Sequence, residues 1–293
     1  MFNLQVAWQA VQARVDEMTS PLFIFLVIAI LALERLFPAR PNQKILSAGV
    51  FQDMVWFLIQ AVGVATVLAA WVVLLRGIYE RHLDFLTITP LAALPGWMSL
   101  VLGVVFTDFL LWVQHLVQHK VPWFWHFHVV HHSQRNLNLF TDFRYHVFEY
   151  VVRQTFLVIP LMMFGVELPE MIVFSLFLFW QARLYHSNIK TDLGFLRHVI
   201  VTPQSHRIHH SIEARHRDRN FGSFLSIWDR MFGTQFPGHS EYPETGVNEQ
   251  HFPHDEPAVG LNLVLKPIEQ MIYPFIAIGR SLYRRARPHE TGE

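Results

Sequence analysis

Residues 108–132 read DFLLWVQHLVQHKVPWFWHFHVVHH. An apolar helical run ends in His115-Leu-Val-Gln-His119, passes Pro122, and enters His128-Val-Val-His131-His132. On a helix, positions i, i+3 and i+4 share a face, so each box turns two or three imidazoles to one side. Farther along, His206-Arg-Ile-His209-His210 repeats the second spacing. Imidazole suits iron, zinc, copper and nickel. Eight such ligands exceed the four of one structural zinc site. They are about what two metals need with positions left open for oxygen or water. A lone HxxxH is as readily a solvated helix face; three boxes beside apolar spans are not. Spacing alone accepts iron or zinc.

The rest of the composition narrows the setting. The chain has 293 residues and is 52% hydrophobic and 16% charged. Ordinary soluble domains carry roughly 45–50% apolar and about a quarter charged residues, so lipid is expected to solvate much of this surface. Lys plus Arg equals Asp plus Glu, 23 each, and no net field argues for nucleic acid. With no cysteine, disulfides, thiolate metal sites and a cysteine nucleophile are excluded. Twelve of the 23 Lys and Arg lie beyond Tyr185.

Apolar stretches at 21–37, 54–75 and 97–113 are near the roughly 20 residues that cross a bilayer core and are read as spans. Residues 1–20 read as a short interfacial helix, with no cleavable signal peptide. The apolar region 151–184 is broken by Gly165-Val166-Glu167-Leu168-Pro169. Its arms are each about 14 or 15 residues, short for a span, so it reads as a hairpin returning to the side it left. Residues 259–283 carry Lys266, Pro267 and Glu269 and read as a helix lying on the surface. The expectation is an all-α single membrane domain over 1–293. Spans occupy 21–114, the first two boxes 115–150 and the membrane hairpin 151–184. The third box and its surroundings occupy 185–236, and a C-terminal surface segment 237–293. About four spans, or three plus the hairpin, would carry a cytosolic histidine-rich helical cap. Arg40, Lys44, Lys120, Arg135 and Arg144 place the boxes on the cytoplasmic side by the positive-inside rule, with Arg76 and Arg81 opposing.

Several strings around the boxes carry a resemblance. They are Trp123-Phe124-Trp125-His126-Phe127-His128, Phe143-Arg144-Tyr145-His146 with Glu149, and Tyr185-His186-Ser187-Asn188. Thr202-Pro203, Asn220-Phe221-Gly222 and Trp228-Asp229-Arg230-Met231-Phe232-Gly233-Thr234 complete the set. Together with the boxes, over roughly 108–234, they resemble the fatty acid hydroxylase and sterol desaturase superfamily of integral membrane histidine-box di-iron enzymes. The resemblance implies two iron ions and O2-dependent hydroxylation or desaturation of a membrane lipid, such as a sterol or fatty acyl chain. It maps His115, His119, His128, His131, His132, His206, His209 and His210 onto the family's catalytic iron ligands, and His186 onto a ninth. A tenth position, one turn before His186 in some relatives, is Ala182 here. His146 is a possible substitute, with a structural role preferred; His126 and His216 need only structural roles.

Oxidising an unactivated C–H bond lies beyond any amino-acid side chain, so a redox metal must carry that step. Asp108, Asp142, Glu149, Asp192, Asp218 and Asp229 are candidates to bind the free ring nitrogens and set their tautomers, with Asp108 and Asp218 foremost. The aromatic run Trp112, Trp123, Phe124, Trp125 and Phe127 reads as an interfacial belt, or alternatively as the wall of a substrate channel. No dinucleotide, flavin or haem motif is present, so electrons must come from a ferredoxin, cytochrome b5 or reductase. Arg215, Arg217 and Arg219 could dock such a donor or meet anionic headgroups. The lack of an ER-retention signal favours a bacterial inner membrane over the endoplasmic reticulum. The alternative is a metal-binding membrane transporter or sensor, but transporters place ligands near the midplane of broken spans, whereas these boxes lie at span ends. A bis-histidine haem protein would need its ligands on facing helices.

Overall fold

Local signals in the chain set the helix boundaries. Ser20 caps α1 (Pro21–Leu36) by accepting from Phe23 N at 3.2 Å, and Pro21 opens the helix, where its missing N–H costs nothing. Ser47 caps α2 (Ala48–Ile59) in the same way through Val50 N. Next come α3 (Ala65–Ile78) and the long α4 (Gly96–Lys120). A proline disfavours helical backbone in the residue before it, and Val121, ahead of Pro122, is extended. Val121 therefore ends α4 and starts α5 (Pro122–His132) in one corner. That corner folds the second histidine box back onto the first.

The computed structural model describes residues 18–44, 46–61, 65–256 and 258–286, with Gln12 and Asp16. The interfacial helix expected over residues 1–20 falls almost wholly outside these. The described residues are helical, joined by loops and three isolated β-bridges, and contain no strand.

A reciprocal cap between His146 and Glu149 starts α6 (Val147–Met163), and one between Glu167 and Glu170 starts α7 (Leu168–His186). The turn between them needs Gly165, whose φ is +71° and whose absent Cβ would lie 2.8 Å from Ala92 Cβ. These arms, 17 and 19 residues long, exceed the 14 or 15 expected. The caps extend α6 backwards, and α7 runs on to His186 before Ser187 turns extended. Helices α4 and α3 pack along α6. Leu111, Leu157, Val158, Leu161, Phe174 and Leu178 form the centre of that core.

Among the described helices, α4 alone is long and apolar enough to cross a membrane, by length and composition. Helix α1 has 16 residues, and the stretch expected as one span over 54–75 is shared between α2 and α3. Large apolar side chains such as Phe25, Ile28, Val73, Trp97, Val101 and Val173 are exposed on the outer faces.

The C-terminal helix α9 (Asn262–Ala286) does more than lie on the surface. It packs against α5 and α2. Its Gln270, wholly buried, accepts from Trp56 Nε1 at 3.1 Å and donates to Asp255 Oδ1 at 3.0 Å. Beneath it Arg144, also wholly buried, joins Asp53 Oδ1 and Asp255 Oδ1, both at 2.7 Å. This pairing ties α2, the loop after the second box and the C-terminal segment together.

Candidate metal centre

The short helix α8 (Pro203–His209) carries the third box, begun by a Thr202–Ser205 capping box. Helices α4, α5, α7 and α8 then converge. All nine histidines predicted as ligands meet in two groups, each with ligand atoms within 4.8 Å of one another. His115, His119, His128, His132 and His209 form the first; His131, His186, His206 and His210 form the second. The groups adjoin, since the rings of His132 and His210 stack with centroids 4.3 Å apart. Each HxxHH box is split between them. His128 and His132 go one way and His131 the other; His206 and His210 go opposite to His209.

Ring orientation is set mostly from the Nδ1 side. His115 Nδ1 donates to Phe221 O at 2.8 Å, His209 Nδ1 to Arg219 O at 2.8 Å, His131 Nδ1 to Arg144 O at 3.2 Å and His186 Nδ1 to Ala182 O at 2.7 Å. A carbonyl can only accept, so these nitrogens carry the proton. Burial, reinforced by the neighbouring imidazoles, holds His128, His131, His132, His206, His209 and His210 well below the ordinary histidine range. Burial likewise pushes His186 down to about 3. All are neutral at pH 7, the form that ligates metals.

The donor set fits a metal. His131 and His186 face each other Nε2 to Nε2 at 3.1 Å. With both protons on Nδ1, two bare lone pairs point at one another and no hydrogen bond can form. A cation resolves that contact. His209 Nε2 is buried with no hydrogen-bond partner, as a ligand nitrogen would be. Nine neutral imidazoles without thiolate suit iron, and equally zinc or copper.

The acids predicted to set tautomers divide. Glu149 Oε1 accepts from His128 Nδ1 at 2.7 Å. Asp218 lies 3.7 Å from His119 Nδ1 and Asp142 3.7 Å from His186 Nδ1. The other three miss the histidines because loop amides or a nearby arginine claim them. Asp108 accepts from Phe224 N, Leu225 N and Trp228 Nε1. Asp192 holds Arg197 and Gly194 N. Asp229 accepts from Phe221 N and Gly222 N, both at 2.8 Å, and from Trp112 Nε1. Asp229 thereby pins the loop whose Phe221 carbonyl orients His115. The carbonyl partners themselves had no sequence signal, because every residue has a carbonyl.

His146 is away from both groups. Its Nδ1 accepts from Phe148 N and its Nε2 bonds Met271 O, so it caps a helix. His216 is held by Ser211 and Glu241, and the His126 ring lies 6.3 Å from that of Tyr273. Arg215 is paired with Glu213 and Glu241, and Arg219 donates to Gly233 O.

A cavity of about 210 Å³ opens onto His115, His128, His131, His186 and His206. The aromatic run at 112–127 does not line it. Trp112 is buried against Phe109 and Phe232, and Trp123 is exposed. The walls come instead from α2, α6, α7 and the loop before α6, including Phe57, Tyr145, Leu157, Leu178 and Phe179.

The fatty acid hydroxylase family profile matches residues 100–234, the stretch that holds all nine histidines. The likeness to the fatty acid hydroxylase superfamily thus covers 135 of the 293 residues. Ornithine lipid hydroxylase OlsE of Rhizobium tropici is 31% identical over 140 residues, 48% of this chain and 42% of the relative. Alkylglycerol monooxygenase of Danio rerio is 29% identical over 254 residues, 81% of this chain and 52% of the relative. Human cholesterol 25-hydroxylase is 26% identical over 128 residues, 43% and 46% of the two chains. The chain thus spans about half, or less, of the length of these relatives. No solved structure matches it.

Proposed function

We propose that this chain is a membrane di-iron enzyme that hydroxylates a lipid with O2. The observation that carries the reading is the sorting of nine neutral histidines into two adjoining groups beside one cavity. The five of the first group would hold one iron and the four of the second the other. Iron, when bound, supplies the O2 activation needed to oxidise an unactivated C–H bond, chemistry that no side chain provides.

The protein's own part is to bind, orient and exclude water. Carbonyls and Glu149 hold His115, His128, His131, His186 and His209 from Nδ1, with their Nε2 atoms turned inward. The cavity walls seat one segment of the lipid against the histidines and keep bulk water away. Hydroxylation consumes R–H, O2, two electrons and two protons and yields R–OH and water. The electrons come from an external donor, a ferredoxin, cytochrome b5 or reductase. The names of the relatives, hydroxylases and a monooxygenase, support hydroxylation over desaturation. The proposed setting is a multi-pass membrane protein with its histidines on the cytoplasmic side, where Lys120, Arg135 and Arg144 follow α4.

The test compares membrane lipids, by mass spectrometry, from cells carrying the wild-type chain and cells carrying His206→Ala. A wild-type-specific lipid with one added oxygen supports hydroxylation. A lipid lacking two hydrogens would replace it with desaturation. Identical lipid profiles from a fully iron-loaded wild type would sink the reading.

A further inference from the structure

Arg153 is a charge without a direct ion pair among the described residues, at the edge of the metal centre. It lies on α6 one turn after Glu149, the residue that holds His128, and it lines the cavity. Its hydrogen bond is a long one to Ser223 Oγ, at 3.5 Å. No carboxylate among the described residues forms an ion pair with it. Asp142, the acid in the cavity wall, is engaged by Arg183 at 3.2 Å and lies 3.7 Å from His186 Nδ1. Asp108 is filled by three donors from the 224–228 loop.

Among the described residues, Asp142 is the one carboxylate that lines the cavity with Arg153 and Arg183. Metals held by neutral imidazoles add positive charge and no compensating negative charge. An uncompensated ionised group inside an apolar bundle is costly, and such residues face a cavity and a partner. Several neutral polar side chains share the wall, Tyr185 and Gln154 among them. The Tyr185 hydroxyl and the Gln154 amide have no hydrogen-bond partner among the described residues. The Tyr185 ring packs 4.2 Å from that of His206. At about 210 Å³ the cavity is smaller than the roughly 300–1,000 Å³ of pockets that enclose a whole drug-sized ligand. It holds one segment of a lipid, and Tyr185 beside His206 and Asp142 beside His186 put polar groups at its histidine end.

We infer that Arg153, with Tyr185, binds an anionic oxygen group of the substrate, phosphate or carboxylate, so that the carbon oxidised lies near the charged end of the lipid. This rests on the lipid-oxidation reading only in naming the bound molecule as substrate. Guanidinium is the side chain best shaped for either anion, through paired N–H donors.

Binding to the purified, metal-loaded protein in maltoside micelles tests it, with dodecyl phosphate, dodecanoate and dodecanol as probes and thermal shift as the readout. One of the two anions is expected to bind about ten- to a hundredfold tighter than dodecanol; the tighter one identifies phosphate or carboxylate as the group. Arg153→Gln should reduce that preference to about twofold or less, and Arg153→Lys should keep part of it. Arg153→Met, of similar length, must lose it too and serves if the glutamine variant does not fold. Equal binding of all three probes by the wild type would overturn the inference. So would a preference that survives in Arg153→Gln or Arg153→Met, because the anions would then be held by the metals. Binding is read without turnover. Unchanged cellular lipids with the anion preference intact would count against the oxidation reading alone.

Discussion

Glu149 Oε1 accepts from His128 Nδ1 at 2.7 Å while its Oε2 accepts from His146 N at 3.2 Å, so one carboxylate orients a metal-centre imidazole and caps α6. Gln118 Nε2 also donates to Oε1, at 2.6 Å. Replacing Glu149 with Gln exchanges one acceptor oxygen for a donor NH2. Outer partners of metal-ligating histidines are typically worth about 10–100-fold in affinity or activity. Glu149→Gln is expected to lower iron affinity and turnover within that range while the protein still folds. Metal titration of the purified variant checks this. Wild-type affinity would show that the contact does not orient His128.

His131 and His132 are adjacent in sequence and belong to different groups. His131→Ala should therefore weaken the four-histidine site and His132→Ala the five-histidine site. The first loses a quarter of its ligands and the second a fifth. Metal content per chain, measured against competing chelator, is expected to fall in two steps whose order reverses between the variants. Identical titration curves would mean that the histidines act as one undivided pool.

Arg144 is wholly buried between Asp53 and Asp255, and its carbonyl orients His131. Taking one partner from a buried ion pair strands the other charge and costs about 3–5 kcal/mol. Arg144→Met should lower the midpoint of thermal unfolding and weaken metal retention together. Asp53→Asn with Arg144→Met should recover part of the loss, because the stranded charge is gone.

Acid should destabilise the metal-free protein. Burial depresses His128, His131, His132, His206, His209 and His210 below their ordinary 6.5. As pH falls through 6.5, the unfolded chain takes up protons that the folded chain refuses, so folding stability falls with it. Each such histidine costs about 1.4 kcal/mol per pH unit below its unfolded value. Thermal midpoints of the metal-free protein should be flat above pH 7 and drop steeply between about pH 6.5 and 5. Bound metal stabilises the folded state and should move that drop to lower pH. A midpoint independent of pH in this window would mean that the histidines protonate freely in the folded state.

Much of the site was legible in sequence because helical spacing is local. HxxxH and HxxHH put imidazoles on one face wherever a helix forms; the corner at Pro122 that folds the second box onto the first came from the structure. Glu149 was legible as a candidate partner of a ring nitrogen; which ring it meets was not. Asp108 was misread. An acid in an apolar helix must find donors, and here they are two loop amides and the Trp228 indole, supplied from more than 110 residues away in the chain.

The sequence by itself determined the ligand type, the number of candidate ligands and the all-helical frame, since cysteine count, spacing and apolar period are properties of the string. Only the tertiary structure decided which histidine joins which group. The second and third boxes each divide two to one, because neighbouring faces of α5 and α8 meet different helices. The cavity walls were likewise beyond the string: Arg153 and Tyr185, on α6 and α7, become neighbours of the metal centre only when α6 packs beside α4 and α7 against α8. Long-range contacts of this kind are set by which surfaces bury one another, and no local pattern encodes them.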